Sequence, residues 1–264
     1  LKDFIKTHIV AIANQKGGVG KTTTAINLAT ALVAIGKKVL IIDLDAQGNA
    51  STGLGISLED RSLSTYDVIV GNSELSSVIR NTSVPDLYIA PATTDLSSSD
   101  VDLVRNEKRT IVLKESMSRL LKNSHNFDYV IIDCPPALSL LTINAFVASD
   151  SVLVPLQAEF FALEGLSQLM LTIKEVRRTL NKDIKIQGIV LTMYDKRNNL
   201  SVQIEEDVRE NLGDLVYDTV IPRNVRLSEA PSFSIPALVY DYKCAGSVAY
   251  QKLAAEFLER ESSL

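Results

Sequence analysis

The sequence predicts a doubly wound α/β domain with a mostly parallel sheet flanked by helices. Three observations predict it. Short runs of Val, Ile and Leu are nearly continuous rather than alternating, as strands read when both faces are covered. Helical patterns lie between most of these runs, which favours strand–helix–strand units over hairpins. A glycine-rich stretch, NQKGGVGKTT (14–23), follows the first apolar run and opens the first helical one. That is the setting of a phosphate-binding loop.

The strands expected are HIVAIA (8–13), KVLIID (38–43), DLYIAP (86–91), DYVIID (128–133), SVLVPL (151–156), IKIQGIVLTM (184–193) and LVYDTVIP (215–222). The helix after the loop repeats apolar residues at helical spacing and stops at Gly36, a residue suited to a helix end. Residues 162–180 and 200–213 show the same pattern, and 246–262 closes the chain as a helix. The polar stretch 92–110 lies between apolar segments and reads as a surface loop or short helices. With 264 residues, 46% of them hydrophobic, the chain can bury one large core and is read as a single domain, 1–264.

The formal net charge is −5, so no global basic field attracts nucleic acid, and any DNA contact needs a local patch. Two cysteines, Cys134 and Cys244, stand far apart without zinc or iron–sulfur spacing. They read as buried or incidental thiols in a reducing cytosol. No apolar run approaches the ~18 residues of a transmembrane helix.

The loop departs from the standard pattern G-x-x-x-x-G-K-[ST]. Aligned on Gly20, Lys21 and Thr22, its first glycine falls at Gln15, and a second lysine, Lys16, precedes Gly17 and Gly18. The glycines let the backbone approach phosphate oxygens, and the helix N-terminus favours negative charge. Lys21 reaches toward the β- and γ-phosphates, and the Thr22 hydroxyl is a magnesium ligand. The expected phosphate cradle is Lys16, Gly17, Gly18, Val19, Gly20, Lys21, Thr22 and Thr23.

Two further segments supply carboxylates at the carboxyl ends of strands, the ligand side of a parallel sheet. IIDLDAQGN carries Asp43 and Asp45, which share a face if the strand continues through both. One then serves a metal shell and the other an attacking water; solvated end-of-strand acids are the plainer reading. YVIIDCPP delivers Asp133 at a strand tip before Pro135 and Pro136. That is the usual form of the acid supporting Mg²⁺ in phosphate-loop NTPases.

KGGVGKTT, DLDAQGNAS, DYVIIDCPP, ALEGLSQL and IPRNVRLSEAPSF together resemble the ParA/Soj family of chromosome- and plasmid-partitioning ATPases, within the deviant Walker-A class that includes MinD. The resemblance runs from about residue 8 to 258 and is to the short form of the family. It implies ATP and ADP as ligands, Mg²⁺ as cofactor, and an ATP-bound sandwich homodimer. In that dimer Lys16 is the signature lysine that reaches the partner's phosphates. It implies Asp45 as the water-activating acid, with Lys16 and Lys21 completing the catalytic set. It implies Asp43 and Asp133, with Thr22, around the metal. Pro222 and Asn224 match the segment that packs on adenine, although turn formation accounts for both.

Arg197 and Arg226 match the family's positions for non-specific, ATP-dependent DNA binding, with Lys196 and Arg223 as neighbours. A ParB-type partner that stimulates hydrolysis, and a cytoplasmic, nucleoid-associated location, are implied as well. A rival reading is a MinD-like ATPase at the membrane surface. It needs a basic amphipathic tail, whereas YQKLAAEFLERESSL carries Glu256, Glu259 and Glu261 against Lys252 and Arg260. A third, a metal-cluster carrier, lacks cysteines at cluster spacing.

Overall fold

A computed structural model describes residues 6–104, 106–123, 126–159 and 162–262. Its strands are β1 (His8–Ile12), β2 (Val39–Asp43), β3 (Arg80–Asn81), β4 (Leu87–Ala90), β5 (Tyr129–Asp133), β6 (Ser151–Gln157) and β7 (Lys185–Thr192). The α-helices are α1 (Lys21–Ala34), α2 (Asn49–Gly53), α3 (Thr65–Val70), α4 (Leu75–Val78), α5 (Ser99–Leu103) and α6 (Val112–Lys122). They continue with α7 (Leu140–Ala148), α8 (Ala162–Thr179), α9 (Asn199–Leu212), α10 (Val225–Glu229), α11 (Ala237–Tyr240) and α12 (Ala245–Ser262).

The sheet order is β3-β4-β2-β5-β1-β6-β7. All pairs are parallel except β3 with β4. Alternate residues of each strand enter opposite cores. Ile9, Ala11, Leu40, Ile42, Val130 and Ile132 face one; Val10, Ile12, Val39, Ile41, Tyr129 and Ile131 face the other. Two covered faces are why the strands read as unbroken apolar runs.

Helix α1 is buried along most of its length between the sheet and α12. It ends as expected: Gly36, at φ +84°, and Lys37 donate their amides back to Val33 and Leu32, a left-handed helix stop. The polar stretch 92–110 resolves into a 3₁₀ turn, Thr94–Ser98, and α5.

The expected strand 215–222 is a correction. It runs beside β7 without a continuous ladder: isolated bridges join Ile189 to Val216 and, just past β7, Tyr194 to Pro222, and the Ile221 amide donates to the Leu191 carbonyl at 2.8 Å. Between them the amides of Asp218 and Thr219 turn away to the Glu256 carboxylate on α12, at 2.8 and 2.9 Å. A carboxylate accepting two N–H groups takes the donors a ladder needs. The apolar stripe of α12 is packed inward: Tyr250, Leu253 and Phe257 are buried. Among the described residues, no helix is long and apolar enough to cross a membrane.

Candidate nucleotide site

Strand β1 sits between β5 and β6, so the loop leaving it opens over the carboxyl edge of the sheet, where open α/β sheets bind ligands. The loop is tied down at both ends. Asn14 donates to the Pro155 carbonyl at 2.8 Å and accepts from the Lys16 amide at 3.0 Å. Thr192 at the end of β7 donates to the Val19 carbonyl at 2.8 Å. Gly18 and Gly20 adopt φ +76° and +88°, conformations that suit glycine. Gly20 caps α1.

The two lysines point to different places. Lys21 is 6% exposed and its ammonium donates to the Lys16 carbonyl at 3.0 Å. Burial pushes its pKa down, opposed chiefly by Asp133 and also by Asp45. Lys16 is half-exposed and pairs with Glu159, just beyond the end of β6; Gln157 donates to the same carboxylate. Lys16 does not line the cleft that Lys21 lines.

That cleft has a volume of about 460 Å³. Gly17, Gly18, Gly20, Lys21, Thr22 and Thr23 form its floor, with Asp45, Gln47 and Asn49 on one side. The remaining wall, which the sequence did not reveal, includes Met193, Leu227, Ala230, Pro231 and Ile235. Met193 holds φ +49°, unusual for a bulky residue and a mark of a constrained site. Pro222 and Asn224 are not brought into this cleft. Pro222 bridges Tyr194 and faces a neighbouring cavity. The Asn224 side chain is committed to capping α10, accepting from the Arg226 amide at 3.0 Å.

Strand β2 ends at Asp43, so Asp45 lies on the following turn and the shared-face geometry does not apply. Asp43 and Asp133 are instead the aligned pair, neighbours in register on β2 and β5, and both are fully buried. Asp43 is bracketed: one oxygen accepts from the Ser51 amide and hydroxyl at 2.9 and 2.7 Å, the other from the Asp45 amide at 3.2 Å. Burial pushes its acid up to about 6, against those hydrogen bonds. Among the described residues, neither buried oxygen of Asp133 has a well-formed hydrogen bond. Burial, then the charge of Asp43, pushes its acid well up, while Thr22 and Lys21 oppose this. A buried carboxylate with two orphaned oxygens beside a threonine fits a hard divalent cation. Thr22 and Asp133 are therefore suited to hold Mg²⁺, with Asp43 behind them.

The two expected DNA-contacting arginines both have acidic neighbours. Arg197 makes a two-pronged contact with Asp195 at 2.9 and 2.8 Å, which holds that carboxyl at about 2. Arg226 pairs with Glu229 at 2.7 Å. Arg197 lines a second cavity, of about 780 Å³, with Lys196, Arg223 and Lys252 against Asp195 and Asp218. A locally basic groove thus exists on an acidic chain. Burial pushes the Cys134 thiol up, so it is an inert packing group. Among the described residues, no group of three His, Cys, Asp or Glu is placed to hold a metal.

A family model described as an AAA domain matches residues 7–186. The chromosome partitioning protein ParA of Caulobacter vibrioides is 56% identical over 254 residues, covering 96% of this chain and 95% of that protein. The chain belongs to the ParA/Soj family. The sporulation initiation inhibitor protein Soj of Bacillus subtilis is 50% identical, over 94% of this chain and 97% of its own. A structure titled as cobyrinic acid a,c-diamide synthase from Mycobacterium smegmatis, holding an ATP analogue and magnesium, superposes with a TM-score of 0.84. It is 34% identical and covers 98% of this chain and 97% of its own, well below the identity to ParA and Soj.

Proposed function

We propose that this ParA/Soj-family chain is a Mg²⁺-dependent ATPase domain, residues 1–264, whose ATP-bound homodimer holds DNA non-specifically and lets go after hydrolysis. The carrying observation is the divergence of the two lysines: Lys21 lines its own cleft, and Lys16 turns outward to Glu159. A lysine that does not line its own cleft is available to a second copy's nucleotide. A cation supplied in trans stabilises charge on the transferring phosphoryl group, as an arginine finger does.

Within one subunit, backbone amides of residues 17–23 bind the phosphates and Lys21 compensates their charge. Asp45 orients a water and accepts its proton as the water attacks the γ-phosphorus, with ADP leaving. Magnesium, when bound through Thr22 and Asp133, neutralises phosphate charge. The wall from Met193 to Ile235 offers an apolar surface for the purine, and Asn224 bears on it through the cap of α10, which carries Leu227 of that wall. Hydrolysis is slow until a second subunit, and then a ParB-type partner, completes the site. The basic groove containing Arg197, together with Arg226, contacts phosphate backbone from both subunits of the dimer. On this reading the protein works on the nucleoid in the cytoplasm.

A MinD-like membrane role is disfavoured, because the apolar stripe of α12 is spent on the core. The test is DNA binding with ATP, ADP or no nucleotide across a salt series. Binding is expected with ATP alone and falls steeply with salt; Arg197→Glu and Arg226→Glu weaken it at least ~10-fold while nucleotide affinity is kept. Salt-insensitive or nucleotide-independent binding contradicts the proposal.

A further inference from the structure

Arg61, in the 3₁₀ turn Glu59–Arg61, is a buried cation whose sequence context marks nothing. It is 6% exposed. Its guanidinium donates to four neutral oxygens, three along the stretch 48–56 and one at Ala92. Nε and Nη2 donate to the Ile56 carbonyl at 3.3 and 2.7 Å. Nη2 also donates to the Thr52 hydroxyl on α2 at 2.8 Å. Nη1 donates to the Ala92 carbonyl beyond β4 at 3.3 Å and the Gly48 carbonyl at 3.5 Å.

Gly48 closes the turn that carries Asp45: its amide donates to the Asp45 carbonyl at 2.8 Å, and the Gln47 amide donates to the Asp45 carboxylate at 3.0 Å. The packing there is tight, since a Cβ on Gly48 would stand 2.6 Å from Nη1. A second route runs through Ala92, whose amide donates to the Ser51 hydroxyl at 3.0 Å. Ser51 in turn brackets Asp43, which accepts from the Asp45 amide. Arg61 therefore braces the Asp45 turn from below by two chains of contacts.

Burying a guanidinium without a carboxylate partner is costly, and neutral side chains can tie a turn. The charge gains its meaning from its surroundings. Asp43, Asp45 and Asp133 gather at this edge, and Asp43 is the charge that supports the ionised form of Arg61 against burial. We propose that Arg61 is a positioning residue for hydrolysis: its guanidinium fork fixes the Asp45–Gly48 turn, and so aims Asp45 at the attacking water. This rests on the role given to Asp45 under the proposed function.

The experiment measures hydrolysis kcat and the Kd of a fluorescent ATP analogue for the wild type, Asp45→Ala, Arg61→Met, Arg61→Lys and the Asp45→Ala/Arg61→Met double variant. Thermal melts report folding. Arg61→Met is expected to lower kcat at least ~10-fold with Kd held within ~3-fold, and Arg61→Lys, which keeps the charge without the fork, to fall in between. Because Arg61 acts through Asp45, the double variant is expected to be no slower than Asp45→Ala alone. A double variant slowed by the product of the two single effects would make Arg61 merely structural and overturn the inference. Wild-type kcat in either Arg61 variant overturns it too, and Arg61→Lys carries the test should Arg61→Met fail to fold. Full hydrolysis by Asp45→Ala refutes the role of Asp45 itself; an inactive Asp45→Ala beside a fully active Arg61→Met refutes only the inference.

Discussion

Asp133 is held at a cost: two carboxylate oxygens are enclosed at a strand tip with no well-formed hydrogen bond among the described residues, beside a second buried acid, Asp43. The direction of the resulting pH dependence follows from linkage. Asp43 keeps its proton up to about 6 in the folded state against an ordinary 3.8. The folded protein therefore binds more protons than the unfolded chain between those values. Its contribution favours folding below the ordinary value and is lost as pH rises to about 6, on the order of 3 kcal/mol for a shift of that size. Asp133 shifts in the same direction. Asp133→Asn should therefore stabilise the fold in EDTA at pH 8 by about 1–3 kcal/mol, with the gain shrinking toward pH 5. It should also abolish the stabilisation that Mg-ATP gives the wild type. Urea denaturation at the two pH values checks this; a variant less stable than wild type at pH 8 contradicts it.

Elements were legible in the sequence wherever one local rule governed them. Strands β1, β2, β4, β5, β6 and β7 emerged from continuous apolar runs, and α1, α8, α9 and α12 from helical spacing. The run 215–222 has the same composition but not the same partners, since Glu256, 38 residues after Asp218, takes its amides. Gly188 marks the same departure. It has φ +151° beside a register shift in the β6–β7 pairing, and a Cβ there would stand 2.5 Å from the Tyr217 ring. Gly188→Ala should destabilise the protein by about 1–3 kcal/mol through overpacking, leaving the nucleotide affinity of the folded fraction unchanged. A melting temperature equal to wild type would show that the ring can yield. The short helices α2, α10 and α11 carry no periodicity long enough to read, yet α2 and the segment 227–237 form cleft wall.

At the scale of the whole molecule, the phosphate loop and the three acids were visible because each sits at the end of a buried strand or, for Asp45, on the turn just beyond one. Their long-range partners were not. Glu159 faces Lys16 across 143 residues, Ser51 brackets Asp43 from a helix that no pattern announces, and Arg61 ties the stretch 48–56 to Ala92. The central claim is that ATP binding reads out as dimerisation because Lys16 serves the partner's nucleotide. Lys16 is held by Glu159, and under the proposed function the partner's triphosphate must compete for it. A triphosphate carries more charge than a diphosphate and competes better. Sedimentation velocity with Mg-ATP, in an Asp45→Ala background that retains the nucleotide, tests this most directly. A dimer is expected for Asp45→Ala and a nucleotide-loaded monomer once Lys16→Ala is added; an ATP-dependent dimer that survives Lys16→Ala contradicts the trans role of Lys16.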